Sequence, residues 1–167
     1  MALAQALEEL SLALGPGGRV TPDAVSRQFK GRGQVNVFGF LDAAATGQTG
    51  IALQGLRRLL EQGESAQVIL NALARHFRSM MEVGEGPAAR AVKELGMHPY
   101  RAEKLVKQAT GYSPPALAQA YRQIAAADHR TKAGEEAEDL ALERAVVAVT
   151  ALRGGADSVK KGGRGPF

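Results

Sequence analysis

Apolar residues recur at helical spacing along most of the chain, and this periodicity constrains the fold more than any other feature of the sequence. Leu3, Leu7, Leu10 and Leu14 form the first apolar stripe, and similar stripes follow in segments separated by glycines. No segment shows the sustained alternation of apolar and polar residues that indicates a half-buried β-strand. The sequence therefore predicts an all-α protein, a helical bundle.

Glycines and capping residues divide this periodic chain into helices. The predicted starts are, in chain order, Thr49, Ser65, His98-Pro99 and Ser113-Pro114. The last helix is predicted from about Glu135 to Arg153, with acidic residues in its first turn. We expect a bundle over residues 36–153, a small helical piece at 1–30 before it, and a flexible tail rich in glycine and lysine at 154–167.

Composition excludes several kinds of site. The 167 residues include no cysteine, and the three histidines lie far apart, which argues against a metal centre. With 21 basic and 17 acidic residues the net charge is +4, too small to indicate a nucleic-acid partner by itself. No apolar run approaches the roughly 20 residues of a membrane span, and no signal peptide is recognisable. We expect a cytoplasmic protein without membrane contact.

The sequence offers no catalytic constellation. Neither glycine cluster near the N-terminus has the spacing of a phosphate-binding loop. The carboxylates, including those from Glu135 to Asp139, are predicted to be solvated helix caps, and His76 a packed structural histidine. We therefore expect no enzyme activity and no cofactor.

Residues 88–107 are compatible with a helix-turn-helix, because two short helices would meet at Gly96. The second would present Arg101, Lys104, Lys107 and Gln108 outward, and helix 98–109 would then read duplex DNA in the major groove. Against this, a valine occupies position 92, where the motif usually has alanine, and position 103 is a glutamate, which repels phosphate. A simple antiparallel helix pair is the commoner explanation.

The order of motifs from residue 36 onward carries a family resemblance. The motifs are Asn36-Val37-Phe38-Gly39-Phe40-Leu41-Asp42-Ala43, a leucine-rich run from Ala52 to Glu64, Ile69 to Arg78, Ala91 to Leu105, Ala127 to Lys132, and Ala141-Leu142-Glu143-Arg144. This succession resembles the delta subunit of bacterial DNA polymerase III. Residues 36–153 resemble its C-terminal collar domain, and residues 1–30 more loosely resemble the end of its helical lid domain.

The resemblance implies a non-catalytic assembly domain of the clamp loader, which places the sliding clamp on primed DNA in replication. It implies tau/gamma and delta-prime subunits as partners in a pentamer. If the resemblance holds, we expect these residues to lack the family's clamp-opening N-terminal module, so contact with the sliding clamp would require that module. Weak contact with primed DNA is a further expectation.

Two groups of residues are candidates for these contacts. The oligomer interface is predicted at apolar positions off the main helix stripes: Val68, Met81, Ala148 and Ala151. The basic residues Arg75, Arg78, Arg101, Lys104 and Lys107 are candidates for contacts with DNA or an acidic partner, although an ordinary solvated surface is the simpler explanation. The alternatives are the helix-turn-helix DNA-binding protein above and an unrelated helical partner-binding scaffold.

Overall fold

The computed structural model describes residues 37–154. The chain divides into two units, Met1–Asn36 and Val37–Phe167, and only the second contains described residues. The predicted lid remnant at 1–30 and the predicted tail, apart from Gly154, lie outside the described part. Both stay predictions.

Seven helices and no strand make up the described part of the chain. Residues 37–45 form α1, followed by α2 (Thr49–Glu61), α3 (Ala66–Val83), α4 (Ala88–Leu95), α5 (Pro99–Ala109), α6 (Pro114–Lys132) and α7 (Glu138–Ala151). This confirms the all-α helical bundle that the periodicity predicts.

The predicted helix starts follow from capping chemistry. The imidazole of His98 and the hydroxyl of Ser113 each accept a hydrogen bond of 3.3 Å from a main-chain N–H in the next turn. Pro99 and Pro114 occupy the first helical positions, where no N–H is required. Ser65 also occupies an N-cap position, but its side chain makes no capping hydrogen bond.

The last helix starts later than predicted, at Glu138, and the preceding connection contains a buried carboxylate. The side chain of Glu136 is only 7% exposed and accepts hydrogen bonds from Arg130 (Nε, 2.9 Å) and Arg144 (Nη1, 2.8 Å). These two bonds, from α6 and α7, hold the pKa of Glu136 below its usual value. The expectation of a solvated cap was therefore wrong for Glu136, since cations from two helices reach it.

Helix α3 lies at the centre of the bundle and contacts α4, α5, α6 and α7. Helices α6 and α7 pack against each other, and α2 packs on α7. The largest fully buried side chains are Phe40, Leu56, Leu59, Ile69, Leu73, Phe77, Met80, Val83, Ile124, Leu142, Val146 and Val149. Buried alanines such as Ala52, Ala102 and Ala120 lie on the inner faces, and their small side chains allow helix axes to approach closely.

Candidate interaction surfaces

A chain of polar side chains joins α1, α3 and α5. Asp42 accepts hydrogen bonds from Lys104 (Nζ to Oδ2, 2.5 Å) and from Gln108 (Nε2 to Oδ1, 3.0 Å). The other end of the Gln108 amide, Oε1, lies 2.8 Å from Nε2 of His76. The Asp42 carboxylate accepts hydrogen bonds, so the NH2 end of the Gln108 amide points toward it and the Oε1 end faces His76. The Nε2 atom of His76 must therefore carry the hydrogen. These bonds hold the three helices at a fixed spacing.

Burial keeps His76 neutral. Desolvation is the largest effect and lowers its pKa below 6.5, and the nearby Arg101 and Lys104 act in the same direction. The hydrogen bond to Gln108 and the charge of Asp42 oppose this shift without overcoming it. The structure confirms that His76 is packed and half-buried, and its Nε2 donates to Oε1 of Gln108.

A groove of about 690 Å³ lies between α1, α3 and α5, and the residues of this polar chain contribute to its lining. Its lining residues are Val37, Phe38, Leu41, Asp42, Ala72, Arg75, His76, Tyr100, Arg101, Lys104, Leu105 and Gln108. Phe38 is 60% exposed and Tyr100 is 69% exposed, although both are large aromatic residues. The sequence-based candidates did not include this groove, because it combines side chains from three helices.

The five predicted basic contact residues fall into two groups. Arg75, Arg101 and Lys107 are exposed, and none of them has a side-chain hydrogen bond or ion pair within residues 37–154. Lys104 is bound to Asp42, and Arg78 lies 3.6 Å from Glu82 in an exposed pair. The structure brings Arg75, Arg101 and Lys104 to one groove but separates Lys107 and Arg78 from it.

The helix pair around Gly96 exists, but its second helix is unsuited to reading DNA. Gly96 ends α4 in the left-handed conformation (φ 62°), and α5 begins three residues later. Gln108, predicted to point outward, is only 3% exposed and makes bonds at both ends of its amide. Because Gln108 is buried and Lys104 is bound to Asp42, only Arg101 and Lys107 of the four predicted side chains remain exposed without a partner within residues 37–154.

The four predicted interface residues do not form one patch. Val68 and Met81 are exposed on α3, Ala151 is exposed on α7, and Ala148 is half-buried. Val68 and Met81 are 81 − 68 = 13 residues apart, or about 20 Å along the helix and about 140° around it. They therefore belong to different sides of α3, whereas Ala148 and Ala151 lie on one side of α7.

The outer face of α7 is more apolar than the sequence-based candidates indicate. Leu140 and Val147 are about half exposed, and they lie seven residues apart, on the same face as Ala151. Two charged residues flank this row: Arg144 is bonded to Glu136, and Glu143 lies 3.9 Å from Arg57. The apolar spacing correctly predicts that Leu142, Ala145, Val146 and Val149 face inward, but of the outer row only Ala151 was among the predicted interface residues.

The described residues contain neither a metal-ligand cluster nor a membrane-spanning helix. Nowhere in residues 37–154 do three histidine, aspartate or glutamate side chains come together as metal ligands. None of the helices between residues 37 and 154 has the length and apolar character required to cross a membrane. The groove and the outer face of α7 are thus the features that distinguish the surface of the bundle.

The sequence matches the family model of the DNA polymerase III delta subunit, C-terminal domain, over residues 34–149. Because this match covers more than half of the 167 residues, the chain belongs to that family, as the motifs from Asn36 onward predict. None of the curated proteins compared with the chain matches it.

The bundle is also similar in fold to the Bacillus subtilis DNA clamp loader delta protein (YqeN), with a TM-score of 0.64 and 22% sequence identity. The likeness covers 88% of this chain and 45% of that protein, so this chain spans less than half the length of its structural relative. At this identity the likeness concerns the fold alone.

Proposed function

We propose that the chain is a non-catalytic assembly domain, which joins the other clamp-loader subunits through apolar faces of its helices. Membership of the delta-subunit family supports this proposal. The proposal places the chain in the cytoplasm with the replication machinery. Its partners would be the tau/gamma and delta-prime subunits.

The outer face of α7 is the observation that carries the proposal. Leu140, Val147 and Ala151 leave a row of apolar surface exposed on a helix whose opposite face is already buried in the core. A row of this kind is typical of the apolar centre of an interface, where exposure to water costs free energy until a partner covers it. A stable interface buries on the order of 1,000 Å² or more, so polar residues around this row would contribute to it.

Met81 on α3 supplies a second, separate contact in this proposal, and Val68 a third. The two residues cannot touch the same part of one neighbour, because about 20 Å of helix lies between them. Every domain in a closed ring has a neighbour on each side. Apolar residues on different sides of one bundle are suited to such an arrangement.

The proposal is tested by single charge insertions on exposed positions. Val147→Asp and Met81→Asp are each expected to weaken co-elution with tau/gamma and delta-prime in size-exclusion chromatography. Ile51→Asp is the matched control, because Ile51 is an exposed apolar residue on α2 outside the proposed faces. Co-elution unchanged in both test variants, with folding intact by circular dichroism, would show that assembly uses other faces.

Duplex-DNA reading by α5 is the weaker alternative. It requires free polar side chains along the helix, but Gln108 is buried and Lys104 is paired with Asp42. If binding depended on contacts with a number Z of phosphates, a plot of log affinity against log salt concentration would have a slope of about −0.9Z. A protein interface does not follow this relation. A steep slope together with sequence selectivity would favour the DNA-binding alternative.

A further inference from the structure

We propose that the groove between α1, α3 and α5 is a docking site for a polypeptide segment of a partner protein, one that presents a large apolar side chain next to carboxylates. The groove is distinct from the outer face of α7 and from Val68 and Met81. The inference therefore does not depend on which surface assembles the clamp loader. It rests on the apolar floor of the groove, on its exposed aromatic residues and on its unpaired cations.

The floor of the groove is apolar and already formed. Leu41 and Leu105 are almost fully buried, and the half-buried Ala72 of α3 lines the same groove. A volume of about 690 Å³ falls within the range of roughly 300–1,000 Å³ that is typical of preformed ligand sites. An apolar side chain inserted here would lose contact with water without any rearrangement of the helices.

Two aromatic rings stand beside this floor. Phe38 on α1 and Tyr100 on α5 contribute to the lining of the groove while most of each side chain remains in water. Aromatic residues provide much of the binding free energy at protein interfaces, because they bury a large area with few rotatable bonds. An apolar residue of the ligand would cover these rings as well as the floor.

The charges around the groove select an acidic ligand. Arg75, Arg101 and Lys104 contribute +3, Asp42 contributes −1, and His76 is neutral, so the net charge is 3 − 1 = +2. Lys104 already satisfies Asp42, whereas Arg75 and Arg101 have no hydrogen-bond or ion-pair partner within residues 37–154. A guanidinium binds a carboxylate through two parallel hydrogen bonds, so each of these arginines can hold one acidic side chain.

A single-stranded nucleic acid fits this groove less well than a peptide does. The Gln108 amide is hydrogen-bonded at both ends, to Asp42 and to His76, so it has no free end for a base edge. The floor consists of aliphatic side chains, which suit an inserted leucine or phenylalanine, whereas base stacking would use only the exposed rings of Phe38 and Tyr100. The aliphatic floor and the occupied Gln108 amide favour the acidic, apolar peptide.

The test uses the full chain and a phage library of random twelve-residue peptides. Selected peptides are expected to combine aspartate or glutamate with leucine, phenylalanine or tryptophan. Phe38→Ala or Arg101→Glu is expected to weaken binding of a selected synthetic peptide by roughly tenfold or more. Both side chains are exposed, so neither change removes a core contact, and thermal melts will verify folding.

Two matched controls make this result specific to the groove. Ile51→Ala removes an apolar side chain of similar exposure, and Arg58→Glu reverses the charge of an exposed arginine, both on α2 outside the groove. Both controls are expected to leave peptide binding unchanged. Failure to enrich peptides, enrichment of peptides without acidic residues, or equal loss in the controls would overturn the proposal.

A nucleic-acid arm completes the test. A labelled (dT)12 oligonucleotide is titrated against the same chain and the same variants, and we expect no binding that depends on Phe38 or Arg101. If the oligonucleotide binds more tightly than the selected peptide and loses affinity in Phe38→Ala, the groove is a nucleic-acid site and the peptide proposal is wrong.

Discussion

The guanidinium of Arg153 lies 5.6 Å from the centre of the Tyr112 ring, in a cation–π contact beside the ends of three helices. The same guanidinium donates hydrogen bonds to the carbonyls of Ala45 and Gln108, near the ends of α1 and α5. The Tyr112 hydroxyl donates to the carbonyl of Val149 in α7 at 3.1 Å. A cation is favourable at helix C-termini, where carbonyls lack partners within the helix. This pair therefore fastens three helix ends together.

Tyr112 stays protonated throughout the physiological range. Burial disfavours the phenolate and raises the pKa of Tyr112 to about 12, despite the opposing charge of Arg153. The hydroxyl is consequently a permanent hydrogen-bond donor to Val149.

Replacement of Arg153 by alanine should destabilise the bundle. Arg153→Ala removes charged hydrogen bonds to two carbonyls, and we expect the free energy of unfolding to fall by about 1–2 kcal/mol. Urea denaturation followed by circular dichroism measures the change. Arg122→Ala, at an exposed position of α6, is the control and should change stability by less than about 0.5 kcal/mol. Equal stability of Arg153→Ala and the unaltered chain would contradict the role of this contact.

Gly111 is required by the same contact. A Cβ at position 111 would overlap the guanidinium of Arg153, so Gly111→Ala must push that group away from its carbonyl partners. We expect Gly111→Ala to cost about as much as Arg153→Ala in the unaltered chain, roughly 1–2 kcal/mol. In the Arg153→Ala background its cost should nearly disappear. A double-mutant cycle by urea denaturation measures this coupling, and simple additivity of the two changes would contradict it.

The neutral state of His76 makes stability depend on pH. Its pKa in the folded protein lies below 6.5, the value expected in the unfolded chain. As pH falls below 6.5 the unfolded chain therefore takes up the proton first. The contribution of neutral His76 to the free energy of unfolding is complete above pH 6.5. It is lost progressively as pH falls from 6.5 to the pKa of His76 in the folded protein.

The variant His76→Gln isolates this effect. We expect the melting temperature of the unaltered chain to fall more between pH 7.5 and 5.5 than that of His76→Gln. Differential scanning calorimetry at closely spaced pH values measures both. Parallel curves for the two proteins would show that His76 does not contribute to the pH dependence.

The Glu136 carboxylate also makes the stability of the bundle depend on pH, in a lower pH range than His76. Its pKa is lowered by the hydrogen bonds from Arg130 and Arg144, so its contribution is present above about 4.5 and is lost as pH falls through the folded pKa. Glu136→Gln should thus be less stable than the unaltered chain at pH 7, with a difference that shrinks on acidification below 4.5. Thermal melts at pH 7 and pH 3.5 test this. Glu135→Gln, at an exposed neighbouring position, is the control, and the same loss in that variant would contradict the assignment to Glu136.

The fold was predictable because its information is local. Apolar spacing, glycine stops and the His98 and Ser113 caps each depend on a few neighbouring residues, and they define most of the helices. The start of α7 was misplaced because Glu136 is held by Arg130 and Arg144, and an acidic run gives no sign of that pairing.

The surfaces were less predictable, for reasons that individual residues show. Gln108 follows Leu105 by three residues, so helical spacing alone already places it on the inward side of α5. Phe38 has no such signal, because its exposure depends on what lies beside α1. The groove itself combines residues more than 60 positions apart, such as Asp42 and Lys104. No local sequence pattern predicts a contact between residues so far apart in the chain.

Co-elution of the chain with tau/gamma and delta-prime, beside a duplex-DNA shift in the same buffer, tests the proposed assembly role most directly. The account predicts a stable protein complex in size-exclusion chromatography and no sequence-selective shift of the DNA. A selective DNA shift without co-elution would contradict the assembly role and would favour the alternative in which residues 98–109 read DNA.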